Sequence, residues 1–358
     1  VYCVIIIAIA LVLVIDFFST LNYIAISELF MTVLFHNNVL PIFDQNHTKC
    51  NSIVVELFQH CNLKCDFCTL SSIPNNKVTK FNPDTILKFI PQIRKSLPYI
   101  DTTSKFGICV LGGELFQDQL DYSVYDQFFT QLEYITTGYD CFVEVASNMM
   151  FKDREKVLDL VSKHNITLNA SFDLVGRFTK PNQIQRAFDN IVWFADHITT
   201  DKLSVCFVAH RLNIESVLNN GENKQYFDKL YNHPNISITF GDYISIDDKP
   251  QYNVDDELIL QFYQYMFDHY PNIQEIVGLS EDTPKRRCKE IHITQTGIDQ
   301  GHCSVLANQH THYKEQFFNN LECLNCDYFK KCSFMCYYGY HNLKACWKKI
   351  LYNKLNNQ

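Results

Sequence analysis

The chain carries no excess of basic residues. Its 31 lysines and arginines stand against 39 aspartates and glutamates, a net charge of −8 with a pI near 5.9. A general nucleic-acid binder needs a basic face, so this balance speaks against that class and leaves room only for a local basic groove. Internal repeats and long low-complexity segments are also lacking. What is abundant is apolar. Hydrophobic residues make up 47% of the 358 positions, enough for a sizeable core and too many for global disorder. The length suits one large barrel plus a small domain.

An even, regularly spread set of cysteines is missing too. There are 15, three of them between Cys61 and Cys68 and seven between Cys288 and Cys346. An odd count in tight clusters suits metal ligation in a reducing compartment better than a disulfide framework, so a cytoplasmic location is expected. Cys3, Cys50, Cys109, Cys141 and Cys206 have no such spacing. Cys109, Cys141 and Cys206 fall in apolar, strand-like runs and are expected as small core residues.

The N-terminus is apolar. Val1–Ile15 has no charge, Asp16 interrupts, and a second stretch runs to Phe35 with only Glu28 charged. A membrane span takes about 20 apolar residues. Residues 1–35 are open to three readings: a membrane anchor, a signal peptide, or an extension outside the working protein. Asn37–Lys49 reads as a polar linker.

From Ser52 strand-like and helix-like segments alternate. Strands are expected at 52–58, 106–111, 141–147, 166–172, 203–209 and 235–240. Helices are expected near 83–97, 119–135, 153–164, 182–198 and 214–232, with Asn82-Pro83-Asp84 as a helix start. Six β/α units imply a parallel sheet with right-handed crossovers. Without a clear seventh and eighth unit, the expected fold is α/β, a partial (β/α)6 TIM-like barrel with its site at the C-terminal strand ends.

The loop Cys61-Asn-Leu-Lys-Cys65-Asp-Phe-Cys68 follows the first strand. Three thiolates can hold three irons of a four-iron cluster and leave the fourth open to a small molecule. A zinc site completed by His60 or a distant residue, or disulfide partners in a secreted protein, are the other readings of the loop alone. Leu111-Gly112-Gly113-Glu114 ends the second strand. Paired glycines admit a ligand close to the backbone, and Glu114 can accept from an ammonium group; a plain strand-to-helix turn is the alternative. Ser147-Asn148 ends the third strand, as a polar contact or a strand-end cap. Ala170-Ser171-Phe172-Asp173 ends the fourth; its hydroxyl and carboxylate suit a ribose diol. Arg177 can meet a carboxylate, although a surface arginine is the expected reading, and Asn213 is a weaker candidate for a nucleoside contact. Toward the C-terminus Cys288, Cys303, Cys323, Cys326, Cys332, Cys336 and Cys346 are separated by fourteen, nineteen, two, five, three and nine residues. Read alone, they are also compatible with two zinc sites.

The three-then-two cysteine spacing, with Asn62, Lys64 and Phe67 between, resembles the signature of the radical S-adenosylmethionine (radical SAM) enzymes. The resemblance implies a [4Fe-4S] cluster on Cys61, Cys65 and Cys68. It also implies chelation of SAM by the open iron and reductive cleavage of SAM to a 5′-deoxyadenosyl radical that abstracts hydrogen from the substrate. By it Gly112, Gly113 and Glu114 would bind the methionyl amine, Ser147 or Asn148 would contact SAM, and Ser171 and Asp173 would lie near the ribose. Met149 departs from the glycine that the family often has there. The seven C-terminal cysteines resemble the SPASM extension, which holds two auxiliary [4Fe-4S] clusters. One would be enclosed by Cys323, Cys326, Cys332 and Cys346. The other would be held by Cys288, Cys303 and Cys336, its fourth position open or filled by Asp282 or His302. Gly297 stands one residue further from Cys303 than the family usually has it.

The resemblance covers the chain from Ser52 onward. It divides the chain into an N-terminal segment (1–50), a radical SAM barrel (51–250), a connecting helical segment (251–281) and a SPASM-like auxiliary-cluster domain (282–358). It implies a peptide or protein substrate and an external electron donor of flavodoxin or ferredoxin type. No peptide-leader-binding domain is expected, residues 1–50 being short and apolar. Two alternatives stand beside it: a radical SAM enzyme that dehydrogenates or epimerises a small molecule, and a non-enzymatic iron–sulfur or zinc-binding protein.

Overall fold

The computed structural model describes residues 49–68, 70, 73, 77–198, 202–241, 243, 249–270, 290–302, 316–329, 332 and 343–356. All of them belong to one unit, residues 49–358. The apolar stretch 1–35, Asp282, Cys288, Cys303, Cys336 and the side chain of His302 lie outside the described residues. Among the described residues no helix is long and apolar enough to cross a membrane.

Six strands form where the sequence predicts them: β1 (Ser52–Glu56), β2 (Phe106–Leu111), β3 (Cys141–Ser147), β4 (Thr167–Ser171), β5 (Leu203–Val208) and β6 (Ser237–Gly241). They run parallel, each hydrogen-bonded to its sequence neighbour. Two further strands were not anticipated. β7 (Glu290–Thr294) pairs parallel with the free side of β1, and β8 (Gly297–His302) folds back antiparallel on β7. The order is β6-β5-β4-β3-β2-β1-β7-β8, an open sheet with β6 and β8 as edges. β7 lies inside segment 282–358, so the sheet runs across that boundary. Its short alternation Glu-Ile-His-Ile-Thr was masked by the neighbouring cysteine spacing.

Burial alternates with period two along the strands, as a one-sided core requires. Ile53 and Val55, Phe106, Ile108 and Val110, Leu203, Val205 and Phe207, and Ile291 and Ile293 are all buried. The helices that link the strands supply matching apolar rows, such as Phe128, Phe129 and Leu132, or Ile184, Ile191 and Phe194. Each such side chain contributes about 1.5–3 kcal/mol on burial. The opposite face carries the other parity: Glu56, Cys109, Glu144, Asn169, Ser171, Cys206 and His292. Cys109 and Cys206 are therefore half-buried residues of that face rather than of the face with the alternating apolar core, and Cys141 is likewise only half-buried; Cys50 is the buried one of the four.

The helices with both ends described are α1 (Pro83–Ile86), α2 (Phe89–Ser96), α3 (Tyr122–Thr136), α4 (Arg154–Lys163), α5 (Pro181–His197), α6 (Arg211–Leu218), α7 (Lys224–Tyr231), α8 (Asp256–His269) and α9 (Trp347–Asn356). Asn82 caps α1 through Asp84 N, with Pro83 in the first turn, as expected. The segment predicted as one helix over 83–97 is broken because Pro91 would collide with the Leu87 carbonyl; the helix restarts at Phe89. The segment over 214–232 is two helices, divided at Asn220, whose φ is +51°. In the C-terminal part, Trp347 stacks on Tyr263 of α8 at 3.8 Å and 13°, and Lys344 N donates to Asp256 Oδ2 at 2.7 Å.

Candidate active site

Parallel pairing brings the C-terminal ends of β1 to β5 to one edge of the sheet. A cavity of about 580 Å³ opens there, within the roughly 300–1,000 Å³ of small-molecule sites. Its wall includes Cys61, Cys65 and Cys68, Gly112, Gly113 and Glu114, Ser147 and Asn148, Ser171, and Arg177. Of the barrel residues predicted for the site, Asp173 and the weaker candidate Asn213 do not line it.

The glycines make the site by letting two chain segments touch. Gly113 N donates to Phe58 O at 2.8 Å and Glu114 N to His60 O at 3.2 Å. A Cβ on Gly113 would fall 2.2 Å from the carbonyl oxygens of both Gln59 and His60, and one on Gly112 would fall 2.8 Å from Phe58 O. Close approach is therefore needed first by the backbone that leads into the cysteine loop.

Glu114 is 2% exposed. Its Oε1 accepts from Phe116 N and from Ser147 Oγ, both at 2.9 Å, and its Oε2 from Asn148 N at 2.6 Å. A carboxylate has about four acceptor positions, so one remains, on Oε2. Burial raises its pKa against the lowering effect of the three bonds. Ser147 is also a strand-end cap, accepting from Met149 N at 3.1 Å. Asn148 reaches back to the cysteine loop through Nδ2, 2.7 Å from Asn62 Oδ1 and 3.7 Å from Cys61 Sγ. Met149 has φ +60°, so the position where the resemblance favours glycine keeps the left-handed backbone without the glycine. Asn190 secures it by donating to Met149 O at 2.7 Å.

Burial pushes the Cys61 thiol up to about 12 and the Cys65 thiol up to about 11. Thiols so placed become thiolates at neutral pH only beside a cation. Among the described residues no three His, Cys, Asp or Glu side chains converge tightly enough to hold a single metal ion; Cys61, Cys65 and Cys68 all line the cavity and lie near enough for their charges to interact.

Arg177 corrects an expectation. It is not a surface arginine: its side chain is 12% exposed, and Nε donates to Asp173 Oδ2 at 2.6 Å. Asp173 is fully buried, and its Oδ1 accepts from Val208 N at 2.8 Å and Asn213 Nδ2 at 2.6 Å. It reaches the cavity only through Arg177. Asn213 is also removed from ligand contact. Its oxygen takes Leu174 N and Val175 N, and its amide donates to Asp173 and to Val208 O.

Sequence reasoning missed His210 and Tyr252. His210 is fully buried and caps α6 by accepting from Asn213 N at Nδ1. Its ring lies 4.9 Å from Phe67 of the cysteine loop and 4.9 Å from Tyr252, and its Nε2 is buried with no hydrogen-bond partner among the described residues. Histidine is an unusual helix cap, but its position directly after a strand was a usable signal. Burial pushes its pKa down to about 4. The folded chain therefore holds it neutral while the unfolded chain protonates it below about 6.5. Its stability contribution is complete above that pH and is lost as pH falls toward 4. Urea unfolding at about pH 5 and pH 7 is expected to show an acid loss smaller by about 2 kcal/mol in His210→Gln than in the wild type. An equal loss in both would remove His210 as its source.

In the C-terminal region Cys323, Cys326, Cys332 and Cys346 lie close enough for their charges to interact, and burial raises Cys323 strongly and Cys346 to about 11. Cys326 N donates to Cys323 O at 3.0 Å, and Lys349 N points at Cys346 Sγ at 3.5 Å.

The fold is shared with radical SAM/SPASM enzymes of known structure. The enzyme anSMEcpe with bound AdoMet and the Kp18Cys peptide superposes with a TM-score of 0.59 at 12% identity, covering 86% of this chain and 98% of its own. Streptococcus suis SuiB bound to S-adenosylmethionine superposes with a TM-score of 0.50 at 14% identity, covering 84% of this chain and 76% of its own. No protein-family model and no curated protein matches the chain.

Proposed function

We propose that this chain is a radical SAM enzyme with a SPASM-type C-terminal region that modifies a peptide or protein substrate. One arrangement carries the reading. Three cysteines of one loop, a buried carboxylate with one free acceptor position and a fixed arginine meet on one cavity at the strand ends of this fold.

The donor set fits a four-iron cluster: three sulfurs from one loop, Cys61, Cys65 and Cys68, of which burial keeps Cys61 and Cys65 from ionising readily without a cation. When bound, such a cluster passes one electron from an external flavodoxin- or ferredoxin-type donor to SAM, giving methionine and a 5′-deoxyadenosyl radical that takes hydrogen from the substrate. Glu114 would accept the SAM ammonium at the remaining position of Oε2, while Ser147 and Asn148 hold that carboxylate in place. Gly112 and Gly113 keep the wall beside it free of side chains. Ser171 offers a hydroxyl to the ribose, and Asp173 acts behind Arg177. Residues 51–250 would be the barrel, 251–281 the connection and 282–358 the auxiliary-cluster region. There Cys323, Cys326, Cys332 and Cys346 would enclose one cluster and Cys288, Cys303 and Cys336 hold a second. A peptide substrate is supported by anSMEcpe, whose structure has both AdoMet and the Kp18Cys peptide bound.

The test is anaerobic reconstitution with iron, sulfide, SAM and dithionite. Formation of 5′-deoxyadenosine is expected, and its absence from a fully iron-loaded protein would refute the reading. Glu114→Gln is expected to weaken SAM binding roughly tenfold or more, since a hydrogen bond to a charged group is worth about 1.5–3 kcal/mol. Equilibrium dialysis with SAM measures this; unchanged affinity would give Glu114 a purely internal role.

A further inference from the structure

The turn after β4 is fastened to the cysteine loop at several points. Asp66 N donates to Gly176 O at 3.0 Å. Gly176 has φ +84°, and a Cβ there would meet the Tyr252 hydroxyl at 3.0 Å and Phe67 Cδ1 at 3.1 Å. Arg177 Cζ lies 5.3 Å from the Phe67 ring centroid. Its Nη1 stands 4.0 Å from Cys65 Sγ, at the outer reach of an N–H···S contact. The guanidinium is fixed from behind. Nε is held by Asp173, and Asp173 is held by Val208 N and by Asn213. With Nε committed, the planar fork turns an Nη group toward the sulfur.

We propose that Arg177 raises the reduction potential of the cluster held by Cys61, Cys65 and Cys68 by donating to the Cys65 sulfur, with Asp173 as the residue that aims it. The proposal rests on the radical SAM reading. Reduction adds one electron, supplied by an external one-electron donor, and makes the iron–sulfur group more negative by one charge. A donor and a fixed positive charge beside a ligand sulfur stabilise the more negative state, and hydrogen bonds to sulfur are a known lever on cluster potential. Asp173 opposes this, but Arg177 stands between it and the sulfur, and the Coulomb interaction falls with distance. Arg177 and Cys65 are both largely withdrawn from solvent, at 12% side-chain and 7% residue exposure, which weakens screening of the nearer contact. The role explains why an arginine that lines the cavity is anchored on its far side by a buried carboxylate.

The experiment is an anaerobic redox titration of the reconstituted full-length protein without SAM, followed by electron paramagnetic resonance and visible absorption. A variant with Cys61, Cys65 and Cys68 all changed to Ala supplies the signal of the remaining clusters for subtraction. In Arg177→Gln the three-cysteine cluster is expected at a more negative potential. Its reduction equilibrium should fall at least tenfold, about 59 mV for one electron, with iron content unchanged. Arg177→Lys keeps the charge and an Asp173 partner but cannot reach both groups, so a smaller shift of the same sign is expected. It decides the matter if Arg177→Gln does not fold. An unshifted potential in the folded variants, or loss of the cluster from them, would overturn the proposal and leave Arg177 a structural residue. A wild-type signal identical to that of the triple-alanine variant would overturn the radical SAM reading itself.

Discussion

Cys65→Ala is expected to abolish 5′-deoxyadenosine formation while the chain stays folded and keeps the iron bound by its C-terminal cysteines. Cys65 is 7% exposed and lies between the loop backbone and the Arg177 guanidinium. Removing one sulfur leaves a void smaller than a leucine-to-alanine change would, so the stability loss should be about 1 kcal/mol. The chemical loss is of another order. On the proposed reading, Cys61 and Cys68 alone would not hold three irons, and Glu114 would keep its open acceptor position without the metal that orients the rest of SAM. Iron analysis should show the loss of one cluster per chain, and circular dichroism an unchanged fold. Retained SAM cleavage in this variant would end the radical SAM reading.

Much of this site was legible because local signals agreed. β1 through β5 were readable from apolar alternation. The cysteine loop, Gly112-Gly113-Glu114, Ser147-Asn148 and Ser171 each sit at the end of one of the first four strands, so parallel pairing was enough to bring them together. What was not legible depends on contacts across strands. Asp173 looked like a ligand residue, but its oxygens are claimed by Arg177 and by two groups from β5 and α6, and no local pattern announces that. Asn213 and His210 were obscured for the same reason: Asn213 bonds to groups some 40 residues away, and the His210 ring packs on Phe67 and Tyr252 from two distant segments. Cys109 and Cys206 were assigned to the core by their apolar neighbours. A strand with one polar face reverses the meaning of such neighbours, and only the burial parity of the whole sheet decides which face a residue joins. β7 was lost because a five-residue alternation carries little signal beside a dominant cysteine pattern.

Asp173→Ala is expected to destabilise the protein by about 3–5 kcal/mol, the usual result of removing one partner of a buried ion pair. The pair is out of water on both sides, with Asp173 at 0% and Arg177 at 12% side-chain exposure. Alanine would strand the guanidinium charge and leave Val208 N and one Asn213 amide hydrogen without their acceptor. The damage should also reach the cysteine loop, because the same turn holds Asp66 through Gly176 O and Phe67 through Arg177. Urea unfolding measures the first effect, and the rate of iron loss to a chelator under anaerobic conditions measures the second. Replacing both partners, Asp173→Leu with Arg177→Met, removes the stranded charge, so it should recover part of the stability. A single-variant loss below about 1 kcal/mol, far under that expected for breaking a buried pair, would mean that Arg177 finds water or another acceptor. Its anchorage by Asp173 would then be incidental.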